Sequence, residues 1–298
     1  MRTLLFLLLS ISLLGCNTAP EKSTKEAKET ITVSIRPQKY LVEQIAGDQF
    51  NINVLVADGS GPETYEPSAK QMKEVSESKT YFMTGLLDFE KGWLQKVAEL
   101  HPDLKIVNTA SGVDLIEGEM HHDHSHGEKH HHHDAGVDPH IWLSIRELKV
   151  QSNTILKELI RLKPEMETEF TGKHAALNNR LDSLDIVIAN KFRSLGRQPV
   201  FMIYHPALSY FSRDYGVIQL PIELGGKEPS PAYMKELIDL AKENQINTIF
   251  YSEQFDKKSA QTLSDQLSLE LVPFNPLEEN VEQNLLTFTD RIISSAVK

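Results

Sequence analysis

The sequence predicts an α/β protein of two similarly built lobes, each around a parallel sheet, joined by one long helix. Three observations point there. Short apolar, β-branched runs alternate with amphipathic helical stretches four times between residues 31 and 110, the pattern of a parallel sheet flanked by helices. The alternation then stops, and residues 165–196 form one stretch without proline whose apolar residues recur at helical spacing. From residue 199 it restarts and runs to the end of the chain.

In chain order, "ITVSIRP" (31–37) reads as a strand and "KYLVEQIAG" as a helix. "NINVLVAD" (51–58) is a strand, "SAKQMKEVSES" a helix, "TYFMTG" (80–85) a strand, "FEKGWLQKVAEL" a helix and "KIVNTA" (105–110) a strand. After a histidine tract and "DPHIWLS", residues 145–163 are helical by periodicity. In 165–196, Phe170, Leu177, Leu181, Leu184, Ile188 and Phe192 fall at spacings of three, four and seven, one apolar stripe on one helix face. A helix of about 30 residues would run about 45 Å, longer than a crossover needs. The second lobe reads "PVFMIYH" (199–205) as strand, "ALSYFSRDYG" as helix, "VIQLPIE" (217–223) as strand and "PAYMKELIDLAKENQ" as helix. "NTIFYSE" (247–253) follows as strand, "KKSAQTLSDQLS" as helix, "LELVPFN" (269–275) as strand, and a closing helix.

The 298 residues, 40% of them hydrophobic, suffice for one large core or two ordinary ones. A net charge of −11 without a basic stripe argues against nucleic acid as a partner. At the start, "MRTLLFLLLSISLLGC" carries an early positive charge and a leucine-rich run, too short for a comfortable membrane span. It reads as an export signal over 1–15. Cys16 is the only cysteine, so no internal disulfide exists. Leu13-Leu14-Gly15-Cys16 resembles the bacterial lipobox, whose cysteine is lipidated; the alternative is an ordinary signal peptide with a chance cysteine. The polar stretch 16–30 reads as a tether, since it cannot bury enough apolar surface to offset its ordering entropy.

Ligands of open α/β sheets sit beyond the carboxyl ends of the strands. At those ends lie Glu63 and Glu66, Asp138-Pro139-His140, His205-Pro206, Glu253 and Asn275-Pro276. Imidazole with carboxylate suits zinc or a neighbouring divalent first-row ion. The prolines stiffen the backbone that bears His140, His205 and Asn275. Each residue also has an ordinary reading: a strand-end histidine as a hydrogen-bonded group, Glu63, Glu66 and Glu253 as surface carboxylates, and Trp142 as core. Two histidines at equivalent places in two lobes favour ligation. So does the tract His121, His122, His124, His126, His130, His131, His132 and His133, eight of the chain's twelve histidines. That tract, in a loop over 118–136, reads as an accessory metal binder whose ordering costs entropy, or as a low-complexity insert without consequence.

"TYEPSAKQM", "GLLDFEKGWLQKV", "VDPHIWLS", "YHPALSYFSRDYG", "ELGGKEPSP" and "SEQFDKKSA" together resemble the zinc/manganese-type metal-binding lipoproteins (solute-binding proteins) of bacterial ABC importers. The resemblance covers nearly everything from Ile31 onward. It implies two Rossmann-like lobes, 31–164 and 197–298, joined by a rigid helix over 165–196, with the metal in the cleft. It also implies His140 as one ligand and His205 as another, histidine at the latter position marking the zinc-type branch. Two positions depart from the family pattern: Glu63 stands where a histidine is usual, and Asn275 where an aspartate is usual. Asn275 offers a weaker amide oxygen, with water or Glu253 as competitors for its place.

The resemblance implies a monomeric, non-enzymatic binding protein, lipid-anchored in the cell envelope, that captures Zn2+ and hands it to a permease with its ATPase. Mn2+ or another divalent first-row ion is the lesser cargo. The alternatives are a zinc buffer or adhesin without transport, and a zinc hydrolase with Glu66 or Glu253 as base. No His-Glu-x-x-His motif occurs to support the last. Metal release is expected below about pH 6.5, where an ordinary imidazole protonates.

Overall fold

In the computed structural model, residues 28–117, 136–254 and 258–297 are described. The signal peptide 1–15, Cys16, most of the tether and the eight-histidine tract lie outside them.

The amino-terminal lobe comprises β1 (Thr30–Val33), α1 (Arg36–Ala46), β2 (Asn51–Val54), α2 (Ala69–Ser76), β3 (Thr80–Met83), α3 (Asp88–Leu100) and β4 (Lys105–Asn108). Its four strands are all parallel in the order β2-β1-β3-β4. The carboxy-terminal lobe comprises β5 (Val200–Ile203), α6 (Ser209–Tyr215), β6 (Ile218–Pro221), α7 (Pro231–Glu243), β7 (Thr248–Tyr251), α8 (Lys258–Leu267), β8 (Glu270–Pro273) and α9 (Val281–Val297). Its order, β6-β5-β7-β8, is the same topology repeated. In each sheet the order reverses beside the first strand, which makes the carboxyl end of that strand a crevice. α4 (Ile145–Leu162) packs on α1 and α5, and α5 (Glu167–Arg193) is the long helix between the lobes.

All eight strands are shorter than the sequence suggests, four residues each, because their carboxyl ends turn out early into loops. "ITVSIRP" shows why. Ile35 is still extended, but the Gln38 side chain accepts from the Ser34 and Ile35 amides. Pro37 then sits in the first helical turn, where its missing N–H costs nothing. The folded body also begins before Ile31: Lys28 pairs with Asp48 at 3.1 Å, and its carbonyl accepts from Asn51.

α5 has 27 residues, about 40 Å at 1.5 Å per residue. The predicted stripe is the buried one: Phe170, Leu177, Leu181, Ile188 and Phe192 are buried and Leu184 packs beside them. α5 begins two residues later than predicted, after a 3-10 turn at Pro164–Met166. It rests on α1, α4 and α9, so one hydrophobic cluster runs from Ile31 in β1 through Leu181 to Phe288 in α9. The lobes therefore share a core. Polar ties add to it: the Trp142 indole donates to the Pro276 carbonyl at 2.8 Å, Lys39 pairs with Glu279 at 2.9 Å, and the Tyr40 hydroxyl donates to Glu282 at 2.6 Å. Among the described residues no helix is long and apolar enough to cross a membrane.

Candidate metal centre

Three loops at strand carboxyl ends meet between the lobes. Glu63 stands on the β2–α2 loop. That loop is clipped to the start of α2 by Gln71, which donates to the Leu55 carbonyl and the Tyr65 hydroxyl and sits in a capping box with Ser68. His140 follows β4. Glu117 and Val137 form an isolated antiparallel bridge, and the Asp138 amide donates to the Ile116 carbonyl at 3.0 Å. The chain thus emerges from the histidine tract in a set register, and Pro139 passes it into the buried 3-10 turn Ile141–Leu143. His205 lies two residues beyond β5, where Tyr204 is tied to the Phe250 carbonyl and the Ala207 amide closes a turn on His205.

The two imidazoles, one from each lobe, have ring centroids 5.2 Å apart and cross at 66°. Both are buried. Glu63 Oε1 lies 3.2 Å from His205 Nε2 and 3.5 Å from His140 Nε2. One donor atom from each of the three residues falls within 4.8 Å of the others. A tetrahedral zinc ion with bonds of about 2.0–2.1 Å has donor–donor edges of about 3.3 Å, so two of the three edges already have nearly the right length. Glu63, 32% exposed, forms the wet side of the site. The cavity has a volume of about 370 Å³, and Leu224, Gly225 and Gly226 line it together with Asp138, Pro206 and Glu223.

Carboxylates flank both rings. Asp138 Oδ1 is 2.8 Å from His140 Nδ1, and Glu223 Oε1 is 3.4 Å from His205 Nδ1. Burial alone would lower the His205 pKa. The hydrogen bonds and charges of Glu223 and Glu63 outweigh it and push the imidazole up to about 9. Burial likewise works to raise the Glu63 and Asp138 carboxyls. The neighbouring histidines outweigh it at both, through the His205 hydrogen bond with the charges of His140 and His205 at Glu63, and through His140 at Asp138. Both carboxyls end below their usual range. His205 of the zinc-free protein therefore holds its proton more tightly than a free imidazole.

Of the residues singled out in the sequence, Glu63, His140 and His205 come together. Glu253 is not part of that group. The Asn275 side-chain oxygen accepts from the Leu277 amide at 3.0 Å and from Gln254 at 3.1 Å, closing the turn into α9, and the residue does not line the cavity. Glu253 is exposed in the turn after β7, and Glu66 is exposed on the β2–α2 loop. Trp142 is core, as expected. Glu223 was missed. The signal was available: it ends the predicted sixth strand, at the position equivalent to those that yielded the other candidates. In the sequence, Asp138 stands out only as part of the motif that ends in His140.

Comparison with known proteins places the fold in a known family. Residues 31–295 match the family described as zinc-uptake complex component A, periplasmic (ZnuA). A putative metal-binding protein of Chlamydia trachomatis is 31% identical over 95% of this chain and 96% of its own length. Zinc-binding lipoprotein AdcA of Streptococcus pneumoniae is 30% identical over 95% of this chain, which spans only 57% of that longer protein. Two crystal structures of ZnuA, one a deletion mutant with zinc bound, superpose with a TM-score of 0.81 at 34% identity. They cover 91% of this chain and 100% and 98% of their own. With the same paired sheets, the same long helix and a family match over nearly all its folded length, the chain belongs to the ZnuA family of zinc-uptake binding proteins, a family that is not catalytic.

Proposed function

We propose that the cleft captures one zinc ion through Glu63, His140 Nε2 and His205 Nε2 and delivers it to the permease of an ABC-type importer. The carrying observation is the Glu63 oxygen 3.2 and 3.5 Å from the two Nε2 atoms, close to the edges of a zinc tetrahedron. Two imidazole nitrogens and one carboxylate oxygen suit zinc better than manganese, which favours all-oxygen or oxygen-rich sets. The names of AdcA and ZnuA support the same cargo. Water completes the fourth position, since Asn275 is committed to its own turn. Delivery asks for modest movement only, because α5 and the shared core hold the lobes in place. The lipobox at Cys16 anchors the protein to the envelope membrane, and the histidines of 121–133 raise the local zinc concentration near the cleft.

The test is a zinc titration against a competing chelator in a variant lacking residues 118–135, with and without His140→Ala and His205→Ala. Tight one-to-one binding is expected in the first and its loss in the second. Undiminished tight binding after both substitutions would remove the proposed site.

A further inference from the structure

We infer that Asp138 and Glu223 are the positioning residues of this site: one buried carboxylate in each lobe grips the Nδ1 edge of that lobe's histidine and leaves both Nε2 atoms for the metal. The inference rests on the zinc site proposed above and adds two residues to it that make no bond to the ion.

A neutral imidazole has one N–H, and the group facing one nitrogen decides which tautomer is present. Asp138 Oδ1 faces His140 Nδ1 at 2.8 Å and also accepts the His140 backbone N–H at 2.8 Å. One oxygen therefore fixes both the ring and the backbone that bears it. Glu223 Oε1 faces His205 Nδ1 at 3.4 Å. Both carboxylates are less than a tenth exposed, so solvent does not compete for the rings. Each accepts from Nδ1–H, so a neutral ring, as zinc requires, carries its lone pair on Nε2, and both Nε2 atoms converge on Glu63.

The backbone that bears each carboxylate is itself held. The Tyr210 hydroxyl of α6 donates to the Asp138 carbonyl at 2.9 Å, and the hydroxyl accepts from the Ile116 amide at 3.2 Å. The amino-terminal lobe's histidine is thus aimed by a residue fastened to the carboxy-terminal lobe. Glu223 is fixed by its own amide, which donates to the Tyr204 carbonyl at 2.9 Å, next to His205. Carboxylates that hold ligating histidines in this way contribute about 10–100-fold to metal affinity in other proteins.

The test begins with the unaltered full chain, 15N-labelled at histidine and loaded with zinc. Nitrogen chemical shifts should show His140 and His205 both bound through Nε2 with a proton on Nδ1. Ligation of either through Nδ1 overturns the inference. Chelator competition is then run on Asp138→Ala and Glu223→Ala. Each should bind zinc about 10–100-fold more weakly, with mixed ligation through Nδ1 and Nε2 at the neighbouring histidine. Asp138→Asn and Glu223→Gln keep an acceptor oxygen and should restore Nε2 ligation and part of the affinity. Affinities within about twofold of wild type in both alanine variants, with uniform Nε2 ligation, also overturn it. Should an alanine variant not fold, the spectrum of the unaltered protein decides. Zinc bound through neither histidine would instead defeat the site itself.

Discussion

Zinc affinity should climb steeply with pH well above the range in which an ordinary histidine titrates. In the zinc-free protein His205 lies between Glu63 at Nε2 and Glu223 at Nδ1. With a carboxylate at each nitrogen the ring keeps its second proton, and its pKa is raised to about 9. Zinc needs the Nε2 lone pair, so that proton must leave first. The apparent dissociation constant is the intrinsic one multiplied by 1 + 10^(pKa − pH). At about pH 7 the penalty is about 100-fold, or about 2.7 kcal/mol, against about 1.3-fold for an imidazole of reference pKa about 6.5. Affinity should therefore improve about tenfold per pH unit between roughly pH 7 and 8.5 and level off near pH 9. Titration calorimetry at about pH 7.5, in two buffers of different ionisation enthalpy, should report release of about one proton per zinc. A dissociation constant flat from about pH 7 to 9, with no proton release, would refute the reasoning and show that His205 is neutral before zinc arrives.

The same group sets the stability of the zinc-free protein. A pKa raised on folding stabilises fully below the unfolded value, about pH 6.5, and that stabilisation is lost as pH rises through about 9. Zinc-free Tm should fall over that interval and zinc-loaded Tm should not; scanning calorimetry of both forms decides. Leu181→Ala empties a fully buried position on α5 and should cost about 2–5 kcal/mol in denaturant unfolding, with zinc affinity little changed. Gly85→Ala should destabilise by more than about 1 kcal/mol: φ is +83°, and the new Cβ would stand 2.1 Å from Asn108 Oδ1, which already accepts the Ala110 amide. Glu90→Ala strips the loop after β3 of a fully buried carboxylate that accepts from the Thr84 and Gly85 amides, the Thr84 hydroxyl and Ser34. A loss of roughly 3 kcal/mol or more is expected from the donors left bare, and unfolding near wild-type stability would contradict it.

Most of the architecture was legible because it is written in local periodicity. The β-branched runs, the helical stretches between them and the stripe from Phe170 to Phe192 each depend on neighbours a few residues apart. Strand ends were less legible. Where "ITVSIRP" stops being a strand depends on Gln38 reaching back to the Ser34 amide, a contact that apolar pattern does not encode. His140 and His205 were readable as candidate ligands from their strand-end places and their motifs. Asn275 was readable from its place too, but its oxygen is taken by Leu277 and Gln254, as short polar side chains beside a proline often close their own turns.

By itself, then, the sequence determined the order of elements, the division into two like halves with a long helix between them, and which residues could hold a metal. Only the tertiary structure decided which of those residues meet. It also assigned Asp138 and Glu223 to the backs of the two rings and lifted the titration of His205. The reason is physical: periodicity is a property of a few neighbouring residues, whereas the distance between side chains from opposite lobes is set by how α1, α4, α5 and α9 pack into one core. The charge on a buried imidazole is set by whichever carboxylates that packing brings beside it.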